Sequence, residues 1–288
     1  REYFKKDYKL SCPVLDDNDC FYKSLVIAEL QEDWDLYQKI AARYPDFDGY
    51  RKKIRNKIVQ SIEAVVGFKE LEVMKDEKGE IAFSGPNYDG PRTYLRPEAV
   101  DKRLLSVDLI SGNYQSLKYL STEFVLNTQN YEELIQKFTK EKSLIQSKYF
   151  RQMIFGLLKP DVQSSVQKAI INHMITTIFN KKPFPIEHLT NDEVVFQIQT
   201  DEDKAAVLEA LRPLTYEYRV QEFKIQKIKN SYEDQWYIRT NISVDQNINP
   251  IPNQNQSAHA PNRKIMAVHV KYLFQVYNHI HKIPNIKK

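Results

Sequence analysis

Residues 184–198 read FPIEHLTNDEVVFQI, which is two β-like runs on either side of an acidic turn. Apolar residues fill both runs, Phe184–Leu189 and Val194–Ile198, and this pattern is typical of strands. Asn and Asp are favoured in tight turns because they tolerate the backbone conformations that turns require. The stretch therefore predicts a β-hairpin whose turn carries Asp192 and Glu193.

The segments around this hairpin predict further strands and long helices. Arg103–Leu109 alternates and is rich in Leu and Val, which favours a strand. Pro160 lies in the first turn of a helical pattern that runs to about Phe179. Tyr216–Ile225 and Trp236–Thr240 predict two more strands. Together these elements predict an α+β fold in which helices back an antiparallel sheet.

Composition divides the chain into four segments. Residues 1–91 predict a helical region with a β-hairpin, and residues 92–245 predict the domain that holds the sheet. Residues 246–262 form a linker rich in Pro, Asn and Gln, and residues 263–288 predict a C-terminal helix. The last two segments contain six Lys and Arg but no Asp or Glu, which fits a polyanionic partner. A solvated tail is the alternative that stays open.

The overall composition excludes several classes of protein. A chain of 288 residues with 42% hydrophobic residues is long and apolar enough for a globular core. No P-loop or Rossmann glycine pattern is present, and there are only seven glycines. Cys12 and Cys20 form no CxxC pair, so reduced thiols in an intracellular protein are expected. No apolar run approaches the ~18 residues of a membrane span, so no membrane partner is expected.

Residues 147–156, SKYFRQMIFG, predict a helix that carries two cations and an aromatic ring on one face. Lys148 and Arg151 are i,i+3 neighbours, and Phe155 lies one turn beyond Arg151. Such a stripe is suited to hold a triphosphate and to cover a base. Gly156 supports this interpretation, because a glycine within a helix costs about 0.5–1 kcal/mol relative to alanine. The alternative is the ordinary polar face of an amphipathic helix.

Carboxylates stand at two separated strand ends. Asp108 ends the Arg103–Leu109 run, and Asp192 and Glu193 lie in the acidic turn. Two-metal catalysis needs carboxylates from different segments to meet at one small site, so Asp108 and Asp192 are expected to approach each other closely. The open alternatives are a solvent-facing Asp and a turn that favours Asn and Asp for backbone reasons.

The order and spelling of these segments resemble the palm and fingers of family A DNA polymerases. Residues 151–156, RQMIFG, are similar to motif B of that family. Residues 189–196, LTNDEVVF, resemble motif C with Asn191 in place of the usual His. Residues 105–108, LSVD, resemble the strand that leads to the aspartate of motif A. The resemblance spans residues 103–237.

The resemblance implies a palm-like sheet and fingers in residues 92–245. It implies a metal-dependent nucleotidyltransferase that adds nucleotides from nucleoside triphosphates to the 3′ end of a nucleic acid. Asp108, Asp192 and Glu193 would be catalytic, and Asp108 and Asp192 would bind Mg²⁺ or Mn²⁺. The nucleotide-binding residues would be Lys148, Arg151, Phe155 and Gly156.

Two other functions stay open at this point. One is an inactive palm-like protein that binds nucleic acid or serves as a subunit of a larger assembly with protein partners. Eighteen tyrosines offer stacking surfaces for such binding. The other is a structural subunit whose motifs arise by chance. Geometry separates these functions from the enzyme: Asp108 and Asp192 on opposite faces of the sheet would exclude polymerase chemistry.

Overall fold

The computed structural model describes residues 4–5, 21–22, 25, 31–44, 46–73, 99–228 and 236–247. Within these residues, helices combine with an antiparallel sheet, which confirms the predicted α+β class. The helices are α1 (Gln31–Arg43), α2 (Phe47–Glu63), α3 (Gly112–Leu120), α4 (Tyr131–Gln136), α5 (Lys142–Ile145), α6 (Lys148–Phe155), α7 (Pro160–Phe179) and α8 (Asp201–Leu211). The strands are β1 (Arg103–Leu109), β2 (Ile186–Leu189), β3 (Glu193–Ile198), β4 (Tyr218–Ile228) and β5 (Trp236–Asn247).

The chain forms two compact units that alternate along the sequence. Among the described residues, the helical unit comprises those within 1–61 and 129–157, and the sheet unit comprises those within 62–128 and 158–247. Several predicted features lie outside the described residues: the hairpin of the first segment from residue 74 onward, the boundary at residues 91/92, the linker from residue 248 onward and the C-terminal helix.

The five described strands of the sheet unit have the order β2-β3-β1-β4-β5, and every neighbouring pair is antiparallel. The predicted hairpin is confirmed as β2 and β3. The hydroxyl of Thr190 closes its turn, because Oγ1 accepts a hydrogen bond from the N–H of Glu193 at 3.0 Å. The hairpin thereby places its acidic turn beside the end of β1.

One face of the sheet forms the main hydrophobic core. Leu105, Val107 and Leu109 of β1 are buried against α7 and α8 together with apolar residues of β3 and β4. Alternation along a strand sends these odd-numbered residues to one side. α7 is buried over much of its circumference, as expected of a helix with little polar surface.

The other face of the sheet is mixed in character. Leu104 and Phe223 are fully buried there in a small apolar cluster with Val195. Ser106 and Asp108, two polar residues of β1, lie on this same face because they share the even-numbered alternation of Leu104. The mixed face therefore carries Asp108, one of the carboxylates that the sequence singles out.

Aromatic side chains build the core of the helical unit. The rings of Phe4 and Phe21 pack edge-on against Trp34 of α1, with centroids 5.0 Å apart in both pairs. α2 adds Ile54 and Ile58, which are buried at i,i+4 spacing on its inner face. No helix in the described ranges is both long and apolar enough to cross a membrane.

Candidate functional site

A row of charged side chains crosses the sheet near the end of β1. The strand register pairs Asp108 with Glu193 on one side and with Arg219 on the other. Residues directly opposite each other in antiparallel strands point to the same face of the sheet. Glu193, Asp108 and Arg219 therefore share the mixed face with Ser106.

Asp108 is held in an ion pair within this row. Nη2 of Arg219 donates a hydrogen bond to Oδ2 of Asp108. The Asp108 side chain is 19% exposed and that of Arg219 is 24% exposed, so water and salt screen this pair less than a surface pair. The positive charge beside Asp108 comes from the protein itself. A metal ion bound by this carboxylate would have to displace Arg219 or share the carboxylate with it.

Glu193 also has a partner on the neighbouring strand. Oγ of Ser106 donates a hydrogen bond to Oε1 of Glu193, and Ser106 is fully buried. A buried hydroxyl without a partner would cost about 1–3 kcal/mol, so this bond explains how β1 accommodates a serine between apolar residues.

One buried side chain, Gln115 of α3, fixes the ends of β1 and β4. Its amide nitrogen donates to the carbonyl oxygens of Ile110 and Glu217, and its amide oxygen accepts from the N–H of Glu217 at 2.9 Å. Ile110 follows β1 and Glu217 precedes β4. Gln115 thus secures the register at the point where Asp108 meets Arg219.

Asp192 lies on the other side of the sheet from Asp108. The N–H of Leu109 donates to the carbonyl oxygen of Asp192 at 2.8 Å, so Asp192 faces the same side as Leu109. A Cβ atom at Gly112 of α3 would lie 3.5 Å from Cβ of Asp192, which places Asp192 next to the start of α3. Asp192 is exposed, and its Oδ1 accepts a hydrogen bond from Oγ1 of Thr190 at 3.1 Å.

The structure therefore places Asp108 and Asp192 on different sides of the sheet. β3 begins at Glu193, so strand pairing gives Asp108 the second acidic residue of the turn as its neighbour. Successive residues of a strand point to opposite faces of the sheet. A shift of the strand pairing by one residue would therefore exchange the faces of Asp192 and Glu193. The composition of the turn does not reveal this register. The signal in the sequence is the alternation of β3, which assigns Glu193 and Val195 to one face.

Magnesium binding at these positions stays a prediction. Two-metal catalysis needs carboxylates that converge on ions about 3.5–4 Å apart. Across the part of the chain that the structure describes, no three His, Cys, Asp or Glu side chains group closely enough to hold a metal ion. Asp108 and Glu193 share a face, but each accepts a hydrogen bond from another side chain. Asp192 does not join them.

A second charged cluster lies at the start of β1. Nε of Arg103 donates to Oε1 of Glu222 at 2.7 Å, and Nη2 of Arg103 donates to Oδ1 of Asp201. Glu222 is nearly inaccessible to solvent, and Nζ of Lys204 lies 3.9 Å from its second oxygen. The bond to Glu222, followed by that to Asp201, raises the pKa of Arg103, and Arg103 in turn lowers the pKa of Asp201. The cluster neutralises a buried carboxylate and thereby stabilises the sheet unit.

The cations of α6 have different environments within the helical unit. Ser147 caps the helix, because its Oγ accepts a hydrogen bond from the N–H of Phe150 at 2.8 Å. Lys148 is exposed, whereas Arg151 is half-buried with its guanidinium carbon 5.4 Å from the ring centroid of Tyr131. Arg151 is therefore partly engaged in a cation–π contact.

Phe155 and Gly156 do not have the positions that the resemblance implies. Phe155 is fully buried and packs with its ring centroid 6.3 Å from that of Tyr131. A ring that stacks under a base needs an accessible face, which Phe155 lacks in this structure. Gly156 ends α6, and its N–H donates to the carbonyl oxygen of Gln152 at 2.9 Å. The cost of a glycine inside a helix therefore does not apply.

The expected nucleotide-binding residues and the expected carboxylates belong to different units. α6 is part of the helical unit. The row of charged side chains, Glu193, Asp108 and Arg219, is part of the sheet unit. Within the sheet unit, Asp108 and Glu193 are cross-strand neighbours on one face, and Arg219 pairs with Asp108 from the other side of β1. Within the helical unit, Arg151 and Phe155 both lie against the ring of Tyr131.

Sequence reasoning missed a buried cation, Arg51 of α2. Its guanidinium carbon lies 5.6 Å from the ring centroid of Tyr149 and 5.7 and 5.9 Å from those of Phe47 and Phe150. Arg51 is fully buried, and a desolvated cation–π contact contributes roughly 2 kcal/mol. It thereby joins α2 to α6. The available signal is its position on the same i, i+3, i+7 stripe as the buried isoleucines of α2.

Comparison with known proteins yields no matching family model, no matching curated protein and no matching solved structure. The function therefore has to be inferred from the arrangement of the side chains themselves.

Proposed function

We propose that this chain is a palm-like nucleic-acid-binding module that does not itself transfer nucleotides. The observation that carries the proposal is the separation of the two expected metal ligands. Asp108 is paired with Arg219, and Asp192 lies on the opposite side of the sheet. Phosphoryl transfer depends almost entirely on positioning and electrostatic stabilisation of the reacting groups. Carboxylates on opposite sides of a sheet cannot position two metal ions at a single site.

The distribution of charge supports nucleic acid as the partner. The chain has a formal net charge of +4, and residues 137–151 of the helical unit contain five Lys and Arg against one Glu. Lys137, Lys140, Lys142 and Lys148 in this stretch are exposed. Cations that meet phosphates supply most of the affinity in sequence-independent nucleic-acid binding. A basic surface of this kind retains that property without any catalytic metal.

The proposal is tested by measuring binding and catalysis on the same protein preparation. Fluorescence anisotropy with labelled single-stranded DNA, duplex DNA and single-stranded RNA over a series of salt concentrations measures affinity. Primer extension with Mg²⁺ or Mn²⁺, with each nucleotide alone and together, with and without template, measures transfer. We expect binding that weakens as salt rises, and no incorporation above the protein-free control. Absence of binding, or incorporation that is lost in Asp108→Asn, overturns the proposal.

A second candidate is the metal-dependent nucleotidyltransferase itself. It is favoured by the position of β1 next to the acidic hairpin, which gives Asp108 and Glu193 a shared face. For this function, Mg²⁺ or Mn²⁺ would have to compete with Arg219 for Asp108, and Asp192 would have to turn across the strand. Asp192→Asn separates the candidates, because it abolishes incorporation by an enzyme and leaves nucleic-acid binding by a non-catalytic module intact.

A further inference from the structure

The outer face of α2 is basic and carries no carboxylate along most of its length. The exposed side chains between the first turn and the last are polar or cationic: Lys52, Lys53, Asn56, Lys57 and Gln60. The whole helix contains five Lys and Arg against two Asp and Glu. The two acids stand near its ends, at Asp48 and Glu63. The basic face of α2 is defined here as Lys52, Lys53, Arg55, Asn56 and Lys57.

Folding does not explain this concentration of cations. Lys53 and Lys57 are i,i+4 neighbours, and a like-charge pair at this spacing destabilises a helix by about 0.2–0.5 kcal/mol. Neither forms an ion pair with any residue that the structure describes, whereas Lys52 pairs with Asp48 at 2.6 Å. The last turn, where the helix dipole favours cations, has none.

The inner face of α2 is firmly anchored, which fixes the direction of the basic face. Ile54 and Ile58 are buried, and Arg51 is fully buried among the rings of Phe47, Tyr149 and Phe150. A helix held by packing on one side presents the other side in a defined orientation. Cations displayed in this way lose little conformational freedom of the backbone when a ligand binds.

We propose that the basic face of α2 binds the phosphodiester backbone of nucleic acid. This inference rests on the proposed function and assigns that function a surface. Lys53 and Lys57 are separated by about 6 Å of helix rise, which matches the axial distance covered by about two phosphates of one strand. Arg55 donates two hydrogen bonds to Oδ1 of Asn56, at 3.1 and 2.9 Å. Because Asn56 is neutral, the charge of Arg55 still adds to the field of this face.

The residues of this face favour nucleic acid over an anionic membrane. A helix that binds a membrane surface places large apolar side chains next to its cations so that they enter the lipid. The exposed positions of α2 from Lys52 to Gln60 include no apolar residue. Amide side chains such as Asn56 and Gln60 instead donate hydrogen bonds to phosphate and sugar oxygens.

The test compares two double variants of the full chain that remove the same charge. Lys53→Gln/Lys57→Gln alters the basic face, and Lys69→Gln/Lys224→Gln alters two exposed lysines of the sheet unit. Anisotropy with labelled single-stranded DNA and RNA gives the slope of log affinity against log salt. We expect the α2 variant to lose roughly tenfold in affinity at low salt, with a slope shallower by about 1.4, because each phosphate contact contributes about 0.7. We expect the control variant to retain the wild-type slope.

The outcomes separate this inference from the function on which it rests. Binding by the wild type with an unchanged slope in the α2 variant, or with equal losses in both variants, overturns the α2 site and leaves the proposed function standing. No binding by the wild type overturns both. Equal affinity of the wild type for polyglutamate or for vesicles of phosphatidylserine also overturns the assignment to nucleic acid. Far-ultraviolet circular dichroism and the melting temperature verify that both variants fold.

Discussion

The charged residues that cross the sheet and those on the outer face of α2 have opposite environments. In the sheet unit, Arg103, Lys182 and Arg219 each donate a hydrogen bond to a carboxylate that is at least partly buried. In the helical unit, Lys53 and Lys57 stand on the outer face of α2 with no ion pair among the described residues. Charges that are neutralised within the fold contribute to its stability. Charges that are arranged side by side at a cost are better explained by an external partner.

The largest effect is expected where a buried carboxylate loses its main partner. Arg103→Met removes the charged donor that lies 2.7 Å from Glu222, which is 4% exposed, while Lys204 stays at 3.9 Å. We expect the free energy of unfolding to fall by about 3 kcal/mol, because removal of one partner of a buried ion pair is strongly destabilising. Urea denaturation measures this loss, with Lys69→Met as the exposed control. A loss equal to that of the control contradicts the role assigned to the pair.

A smaller loss of stability is expected when the ion pair between Asp108 and Arg219 is broken. Arg219→Gln removes the charged donor to Asp108 and should lower the free energy of unfolding by about 1.5–3 kcal/mol. Asp108→Asn combined with Arg219→Gln should recover part of this loss, because residue 108 is then neutral and no longer needs a charged partner. Urea denaturation of the single and double variants measures the coupling. Additive losses would mean that Asp108 and Arg219 do not interact in solution.

The capping box of α8 gives the sheet unit a pH dependence. Hydrogen bonds from Lys182 and from the N–H groups of Gln199 and Thr200 lower the pKa of Asp203 below its ordinary value of 3.8. A lowered pKa in the folded state contributes stability above the ordinary value, and that stability is lost as the pH falls through the lowered value. Asp203→Asn should therefore cost about 1 kcal/mol near neutral pH.

The comparison that checks this effect is the difference in unfolding free energy between wild type and Asp203→Asn at several pH values. We expect the difference to stay constant from about pH 7 to about pH 5 and to shrink below the ordinary value of 3.8, where the carboxylate becomes protonated first in the unfolded chain and then in the folded protein. A difference that also stays constant below this value would show that the bonds of Asp203 do not depend on its charge.

The smallest effect on stability is expected on α2, and its sign is opposite to the others. Lys53→Glu replaces a like-charge pair by an opposite-charge pair in which the acid precedes Lys57 by four residues. We expect the free energy of unfolding to rise by about 0.5 kcal/mol, while affinity for single-stranded DNA falls. Thermal unfolding and anisotropy measure the two quantities. A variant that is less stable and binds as well as wild type would remove the distinction between the units.

The sequence predicts the elements of the sheet unit well, because alternation and turn composition are local properties. The hairpin around Asp192 and the strand Arg103–Leu109 both form where the pattern places them. The register between distant strands is not local. Pairing of β1 with β3 brings Glu193, rather than Asp192, opposite Asp108. One residue along a strand changes the face, so composition near the turn cannot select between the two carboxylates.

Phe155 of α6 departs from the expected exposed position for a related reason. Periodicity identifies the helix but does not state which side of it meets the core. Phe155 lies one turn beyond Arg151. A cation at i with an aromatic residue at i+4 is compatible with an exposed stripe and equally compatible with a stripe at the edge of the core. The burial of Phe155 beside Tyr131 follows from a partner helix that the local sequence does not reveal.

The central position of β1 has a consequence for the order in which the chain is synthesised. Ser106 bonds to Glu193, 87 residues later, and Asp108 bonds to Arg219, 111 residues later. Translation proceeds at about 5–20 residues per second. Both edges of β1 therefore remain unpaired for roughly 4–20 s, until the neighbouring strands have been synthesised. α7 is translated before β3 and β4 and can cover the apolar side of β1 first. Nascent chains stopped before α7 should therefore expose β1 to aggregation, and those stopped after it should be protected.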